Sequence, residues 1–583
     1  MIKMIYRAVP IRLKATPVLS ITEMFLGTIH ALLWTASVIV TKNLFDTVIL
    51  ATQGQADFWD CVTMILVLAA VTFGQQIMNG LCNFMYTVAD QKSANYIRTL
   101  LQRKLQKIDP ARFEDTEFLD DLNKAREGVK ALPSFCDIIL IGLLFYGVYF
   151  ASIGWYLASL KPILLITLML AFIPALLAQI VRAKVFTKLE KQSAPLRREH
   201  EYYQKAMCDR EYFKETRILG AYKFFHKLFS DTLSALSRKT WKAERKTALL
   251  QLMLTTISFA GMAVASYLLF AATMAGEITI GSFAAVFAAI GNIFYIMHEV
   301  INYHIGNMNK DIGKVKNFIS MLDMPERTGA PGTLDFSQGI TAEGISFTYH
   351  GRDEPAVNNV SLSIADGETI AIVGENGAGK STLVRLLTGV YRPSAGRVTV
   401  GGLDTSETAP VSVFNGISGV FQKYQRYKMV LGENVSISDT QRVPEDEKIE
   451  LALNEAGVER EDIDFDTMLS PEFDGIDLSG GQWQRLAIAR GLYRKSVFIV
   501  LDEPTAAIDP IEETRVYTQF QKLAEGKCAV IVTHRLGSAK LAHRIVVMEN
   551  GEITDIGTHD ELLSRKGKYA DMWSAQAKWY ERE

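Results

Sequence analysis

The chain has 583 residues, of which 49% are hydrophobic and 22% charged, and its formal net charge is −2. This length exceeds one compact domain, so at least two are expected. The nearly neutral balance argues against nucleic acid as a partner, because chains that neutralise phosphates carry a clear basic excess. The five cysteines show no Cys-x-x-Cys pair and no metal-ligand spacing with histidine, so we expect them to pack as small hydrophobic groups.

Six apolar segments before about residue 306 are long enough to cross a bilayer, whose core of about 30 Å requires about 20 helical residues. They cover residues 18–45, 60–88, 134–159, 162–186, 248–275 and 281–306. The first is too long for a cleaved signal peptide, and five more spans follow it. The sequence therefore predicts an α-helical transmembrane domain with six spans over residues 1–320.

Lysine and arginine are concentrated in three regions outside these spans. They lie before the first span, between the second and third, and between the fourth and fifth. Because basic connections stay on the cytoplasmic side, both termini and both long connections are predicted to be cytoplasmic. These connections, 91–132 and 187–247, are nearly free of proline and glycine, so we expect the spans to continue as helices into the cytoplasm. Each connection should turn back through a short transverse helix, near 113–119 and near 212–221.

Polar side chains recur at helical spacing on the second and sixth spans. Such residues are costly inside a bilayer and face either a cavity or a partner helix. The candidates for a solute pathway are Gln75, Asn79, Asn83, Asn292, Tyr295, Glu299 and Asn302. Hydrogen bonding between helices is the alternative for the same residues, and their spacing leaves both interpretations open.

Residues 321–340 are rich in proline and glycine and indicate a linker, after which residues 341–583 are typical of a soluble α/β domain. The clearest motif there is Gly-x-x-x-x-Gly-Lys-Ser, which lies between a predicted strand and a predicted helix. The loop and its first helical residues are Gly374, Glu375, Asn376, Gly377, Ala378, Gly379, Lys380, Ser381 and Thr382. In such a loop backbone N–H groups cradle phosphates, the lysine reaches the β- and γ-phosphates, and the serine hydroxyl ligates Mg²⁺. The motif predicts a P-loop NTPase fold that binds ATP and Mg²⁺.

A second motif supplies the acidic side of this site. Five consecutive apolar residues, 497–501, predict a central parallel strand that is buried on both faces. Asp502 stands at its carboxyl end, where we expect it to hold Mg²⁺. Glu503 follows immediately, and it can act as the general base for an attacking water.

The pentapeptide Leu478, Ser479, Gly480, Gly481 and Gln482 resembles the signature of the ATP-binding cassette (ABC) transporters. Other family elements match: Gln422 is similar to the Q-loop glutamine, Asp509 to the D-loop aspartate, His534 to the switch histidine, and Tyr349 to the aromatic residue that stacks on adenine. Six spans followed by one cassette resemble an exporter-type half-transporter over the whole chain.

The resemblance implies a role for each of these positions. Gln422 would sense Mg²⁺ and the attacking water, and His534 would touch the γ-phosphate. The signature would complete the ATP site of a second cassette, so the expected partner is a second copy of this chain or a paralogous half-transporter. The layout implies a multi-pass protein of the cell membrane with a cytoplasmic cassette, and the lack of an organelle-targeting segment indicates a bacterial origin.

The segments 421–427 and 478–485 look like those of lantibiotic and other modified-peptide exporters, except that Lys423 stands where that family usually has aspartate. This favours export of a modified or hydrophobic peptide. Alternatives are a drug or other amphiphile exporter, a lipid or lipid-linked flippase, a siderophore importer and, from a different class, an ATP-gated channel or regulator. About 17 residues precede the first span, so we expect any leader removal to need another protein.

The first prediction concerns the proposed general base. Glu503→Gln should keep ATP binding but nearly abolish hydrolysis, because the amide cannot accept the proton of the attacking water. Steady-state phosphate release beside nucleotide binding checks this, and a variant that retains more than about a tenth of the wild-type rate would contradict the assignment.

Overall fold

The structure is a computed structural model, and it describes residues 2–460, 463–502, 520–521 and 524–580. The chain forms two compact units. The first comprises Met1–Arg103 and Asp121–Asp323, and the second comprises Lys104–Asp120 and Met324–Glu583.

Long helices build the first unit, and within the described residues six of them are long and apolar enough to cross a membrane. The helices before the cassette are α1 (Ile2–Ala15), α2 (Pro17–Thr52), α3 (Phe58–Gln106), α4 (Thr116–Ile141), α5 (Gly147–Leu160), α6 (Pro162–Cys208), α7 (Phe213–Ile218), α8 (Tyr222–Met274), α9 (Ile280–His298) and α10 (Gly306–Leu322). The first, second, fourth and fifth spans lie in α2, α3, α6 and α8, the third combines α4 and α5, and the sixth combines α9 and α10. The predicted α-helical transmembrane class with six spans is thereby confirmed.

Several spans continue as helix well beyond their apolar part, because the charged connections contain few residues that break a helix. A 3₁₀ turn at Pro110–Glu114 and the short helix α7 reverse the chain in the two long connections, close to the predicted transverse helices. The first turn is capped by Asp109, whose side chain accepts from the N–H of Ala111 at 3.0 Å.

Two short π-helices interrupt otherwise regular spans. Gly142–Tyr146 joins α4 to α5, and Glu299–Ile305 joins α9 to α10. Each releases part of the normal hydrogen-bond ladder and turns side chains to a new face, and such segments occur frequently at functional sites.

The cassette contains two sheets. Its strands are β1 (Ile340–Phe347), β2 (Val357–Ile364), β3 (Thr369–Gly374), β4 (Ala395–Val400), β5 (Leu403–Asp404), β6 (Ile417–Val420), β7 (Phe498–Asp502), β8 (Cys528–Val532), β9 (Arg544–Glu549) and β10 (Glu552–Gly557). Four form an antiparallel sheet in the order β2-β1-β4-β5, and six form a sheet in the order β10-β9-β3-β8-β7-β6. All pairs of the larger sheet are parallel except β10 with β9.

The helices described in the cassette are α11 (Lys380–Leu387), α12 (Pro410–Phe414), α13 (Leu431–Ser436), α14 (Asp446–Glu455), α15 (Gly480–Tyr493), α16 (Leu536–Ala539), α17 (His559–Ser564) and α18 (Lys568–Tyr580). The predicted central strand is β7, which lies between β8 and β6 and is buried at every position. Because β3, β8, β7 and β6 run in the same direction, their carboxyl ends meet along one edge, where ligands of open α/β sheets bind.

The larger sheet separates two apolar cores. Phe498 and Val500 of β7 belong to the core that contains Leu383 of α11, whereas Ile499 and Leu501 belong to the core that contains Leu486 of α15. Alternate residues of a strand point to opposite faces, so α11 and α15 pack on opposite sides of the sheet.

Candidate functional site

The glycine-rich loop joins β3 to α11 and has a backbone that only glycine can adopt at two positions. Gly374 has φ +155° and Gly379 has φ +94°, and a Cβ at either would lie 2.3 Å from a backbone carbonyl oxygen. Lys380 is only 5% exposed, and its Nζ donates to the carbonyl oxygens of Gly374 at 3.0 Å and Glu375 at 2.9 Å. The ammonium group therefore lies inside the loop, where it can meet a phosphate.

Glu375 belongs to the predicted loop, but its side chain serves a different purpose. The carboxylate pairs with Lys568 Nζ of α18 at 2.7 Å, and Lys568 also pairs with Glu549 at 2.9 Å. The backbone N–H of Glu375 therefore remains as its group for binding a phosphate. The side chain connects the loop to the C-terminal helix α18.

A hydroxyl and a carboxylate meet beside the loop. Ser381 Oγ, in the first turn of α11, donates to Asp502 Oδ1 at 3.2 Å, and Asp502 is the last residue of β7 and only 5% exposed. Both are hard oxygen donors of the kind that Mg²⁺ prefers, so these two residues fit the expected metal. Gln422 is exposed and follows β6, the strand beside β7. Glu503 and Asp509 lie outside the described residues.

His534 follows β8, the strand between β3 and β7. Burial and the nearby Lys380 ammonium lower the pKa of His534, and a hydrogen bond with the Gly374 backbone opposes this change. The imidazole is consequently neutral at pH 7, with one N–H to donate. Gln576 of α18 holds this loop, since its Nε2 donates to the His534 carbonyl at 2.5 Å and its Oε1 accepts from Leu536 N at 3.0 Å.

Tyr349 lies beside the start of α11. Its hydroxyl is 3.0 Å from Thr382 Oγ1 and accepts from Arg385 Nη1 at 3.3 Å. Its ring packs edge to face on Phe347, with centroids 5.0 Å apart. These contacts hold the ring next to the phosphate loop, in a position suited to stacking on a base.

The signature pentapeptide caps α15. Ser479 Oγ accepts from Gln482 N at 3.3 Å, and Gln482 Oε1 accepts from Ser479 N at 2.9 Å, which forms a capping box. Leu478 is buried, whereas a Cβ at Gly480 or Gly481 would meet no described atom within 4 Å. The helix start is therefore open to an approaching anion, which its N–H groups favour.

The segment after Gln422 is tied to this helix. Tyr424 hydroxyl donates to the Gly480 carbonyl at 3.0 Å. Arg490 of α15 donates to the carbonyl oxygens of Gln425 and Asn434, at 2.7 Å each. The segment is thus hydrogen-bonded to both the first and the last turn of α15.

The sequence predicts a reversal of the chain near 113–119, but it does not identify the residues through which this first turn contacts the cassette. Glu114 Oε1 accepts from Tyr391 hydroxyl at 2.9 Å and from Arg385 Nη1 at 3.3 Å. Arg327 N donates to the Lys107 carbonyl at 2.6 Å, and Lys104 Nζ pairs with Glu326 at 3.0 Å.

No local pattern could reveal these contacts, because Glu114 and Arg385 are 271 positions apart. Arg385 lies on α11, the helix that begins with Lys380, and it also contacts Tyr349. The turn is therefore connected to both the phosphate and the base side of the site.

The residues predicted for a solute pathway lie in the first unit. Gln75, Asn79, Asn83, Tyr295 and Glu299 line one cavity there. Asn292 is exposed and does not line it, and the side chain of Asn302 lies outside the described part of the structure. One of these residues also makes a hydrogen bond between helices, which was the alternative interpretation: Gln75 Nε2 donates to the Leu33 carbonyl at 3.1 Å.

Two family models match this chain. One, described as ABC transporter, matches residues 357–506, and the other, described as ABC transporter transmembrane region, matches residues 21–295. Among solved structures, a bacterial Atm1-family ABC exporter with ATP bound has a similar fold, with a TM-score of 0.83, 21% identity and coverage of 96% of this chain and 99% of that chain.

Curated relatives include transporters of different cargo. The subtilin transport ATP-binding protein SpaT of Bacillus subtilis is 27% identical over 529 residues, or 88% of this chain and 84% of the relative. The nisin transport ATP-binding protein NisT of Lactococcus lactis subsp. lactis is 29% identical, and the ATP-dependent lipid A-core flippase of Methylococcus capsulatus is 33% identical. These two alignments are shorter. The alignment with the nisin protein covers 62% of each chain, and the alignment with the flippase covers 55% of this chain and 54% of the relative.

A substitution at Tyr349 tests the base-stacking role. Tyr349→Ala should raise the apparent KM for ATP roughly 5-fold or more and spare kcat, because aromatic stacking on a base contributes about 1–3 kcal/mol. Tyr349→Phe keeps the ring but loses the hydroxyl contacts, so its KM should stay within about twofold of the wild type. ATPase kinetics on both variants check this, and an equal rise in KM for Phe would assign the effect to the hydroxyl.

Proposed function

This chain belongs to the ABC transporters and has the membrane region and one cassette of an exporter-type half-transporter. We propose that it uses ATP to export an amphipathic peptide of the modified-peptide class. The observation that carries the cargo assignment is the similarity to the subtilin transport protein, which extends over 88% of the chain. The lipid A-core flippases support a lipid as the second candidate, over a smaller part of the chain.

Two copies of the chain, or one copy with a paralogous half-transporter, form the working unit of this proposal. The support within one cassette is that α11 and α15 pack on opposite faces of the same sheet, so the signature does not share a core with its own phosphate loop. An open helix start at Gly480 suits the γ-phosphate of an ATP held by the second cassette. The cell membrane of a bacterium is the proposed location, with the cassette and both termini in the cytoplasm.

In this mechanism, ATP binding brings two cassettes together. Each nucleotide contacts Lys380 of one copy and Ser479 of the other. Ser381 and Asp502, with Gln422, would hold Mg²⁺, which neutralises phosphate charge when it is bound. Glu503 accepts the proton of the attacking water, and the neutral His534 donates its N–H to the γ-phosphate. Hydrolysis separates the cassettes and returns the membrane helices to the inward-facing state.

Coupling to the membrane helices runs through the first cytoplasmic turn. Residues 104–120 continue from α3 and lead into α4, so a displacement of this turn acts directly on the second and third spans. Glu114 links the turn to Arg385, and Arg385 lies on the helix that carries Lys380 and Ser381. Through the charge and hydrogen bonds of Glu114, the turn therefore moves when nucleotide binding shifts α11.

Transport of a labelled amphipathic cyclic peptide into inside-out proteoliposomes tests the cargo. We expect ATP-dependent uptake by the wild type and none above background by Glu503→Gln, because the variant cannot complete the cycle. Robust ATPase activity without peptide uptake, together with ATP-dependent movement of a labelled lipid, would replace the peptide by the lipid candidate.

The coupling role of Glu114 is tested by separating transport from hydrolysis. Glu114→Gln weakens the pairing with Arg385 and Tyr391, so uptake should fall at least about threefold while ATPase activity stays within about twofold of the wild type. Glu117→Gln is the matched control, since Glu117 is exposed close by on α4. Equal losses of uptake and ATPase activity in Glu114→Gln would show that the residue serves the cassette alone.

A further inference from the structure

The cavity inside the transmembrane unit has about 610 Å³ of space and is lined from several helices. Its walls combine apolar side chains with amides, including Gln75, Asn79 and Asn83 on one face of α3. Six aromatic residues also line it: Trp34, Tyr86, Phe145, Tyr146, Tyr295 and Tyr303. Such a cavity suits an organic ligand with both apolar and polar parts.

Carboxylates dominate the charge of this cavity. Glu23, Asp137 and Glu299 line it, and its described lining contains no lysine or arginine. One cation lies behind the wall: Arg12 is completely buried, with Nε 2.9 Å from Asp137 Oδ1 and Nη2 3.3 Å from Glu23 Oε2. Three carboxylates against one guanidinium leave a formal excess of negative charge, and ionisable residues within a membrane domain are by default candidates for a functional site.

Two carboxylate oxygens in the wall lack a hydrogen-bond partner among the described residues. They are Oδ2 of Asp137, whose residue is only 2% exposed, and Oε1 of Glu23. Arg12 therefore satisfies only part of the acceptor capacity of this pair. Buried acceptors without partners are rare in proteins, so each of these oxygens is expected to meet a ligand, an ion or water.

The two π-helices contribute Tyr146, Glu299 and His304 to the lining. Tyr146 hydroxyl lies 3.0 Å from His304 Nε2, so the two interrupted spans meet at the cavity. Glu299 is the first residue of the second π-helix, and Tyr295 stands one turn before it. Carboxylates beside aromatic rings are the combination that binds an ammonium or guanidinium group, through charge and cation–π attraction.

We propose that this cavity binds a positively charged group of the cargo, with Glu299 and Glu23 as its counter-charges, so the cargo is a cationic amphipathic peptide. The inference rests on the proposed export of a peptide and names the charge that the site selects. The apolar and aromatic walls receive the hydrophobic side chains, and the amides of α3 receive backbone groups of the peptide.

A pair of probes isolates the charge. One is a fluorescent amphipathic cyclic peptide with several lysines, and the other is the same peptide with every lysine acetylated, which removes the charge while keeping the backbone and each lysine stem. Binding to the full chain in lipid nanodiscs without ATP is measured by fluorescence anisotropy. The lysine peptide should bind at least about tenfold more tightly than the acetylated peptide.

The variant Glu299→Gln keeps the shape of the side chain and removes its charge. It should weaken binding of the lysine peptide at least about fivefold and leave binding of the acetylated peptide unchanged. Glu277→Gln is the matched control, because Glu277 pairs with Lys161 and does not line the cavity. Asp137→Asn is unsuitable, since it would leave Arg12 buried without its closest counter-charge.

The outcomes separate this inference from the cargo proposal. Equal binding and equal ATP-driven uptake of the two peptides would overturn the charge selection and leave peptide export standing. Binding of the lipophilic cation tetraphenylphosphonium that depends on Glu299, with no uptake of either peptide, would support the cationic site and overturn the peptide. Absence of binding for all three probes would overturn the site.

Discussion

The parallel arrangement of β3, β8, β7 and β6 is the constraint on which the nucleotide site depends. Strands that run in the same direction place their carboxyl ends at one edge, so each following residue or loop emerges there. The phosphate loop, His534 and Gln422 follow β3, β8 and β6, and Asp502 is the last residue of β7, which lies between β8 and β6. Full burial of β3, β7 and β8 holds the edge rigid, which allows Ser381 and Asp502 to approach within hydrogen-bond distance.

The same sheet also separates the two parts of the proposed ATP site. Alternating residues of β7 and β8 supply two separate cores, one for α11 and the other for α15. The helix that carries the phosphate loop and the helix that carries the signature are thus held apart by the sheet. In the proposed mechanism, the signature of a second cassette therefore completes each ATP site.

Electrostatics are used differently in the two units. In the second unit, charges are paired across short distances and join separate segments, as in Glu114 with Arg385 and Glu375 with Lys568. In the transmembrane unit, Arg12 compensates only part of the carboxylate charge around the cavity. In the proposed site, a cationic group of the cargo supplies the missing positive charge.

Elements whose information is local can be predicted from the order of the residues alone. Apolar length predicts the six spans, the glycine spacing predicts the loop around Lys380, and the apolar run before Asp502 predicts a central strand. Contacts that depend on long-range packing become visible only in the folded chain. The pairing of Glu114 with Arg385, the opposite faces occupied by α11 and α15, and the convergence of Glu23, Asp137 and Glu299 on one cavity join residues far apart in the chain. No periodicity encodes such approaches, because they arise when whole helices and sheets pack against one another.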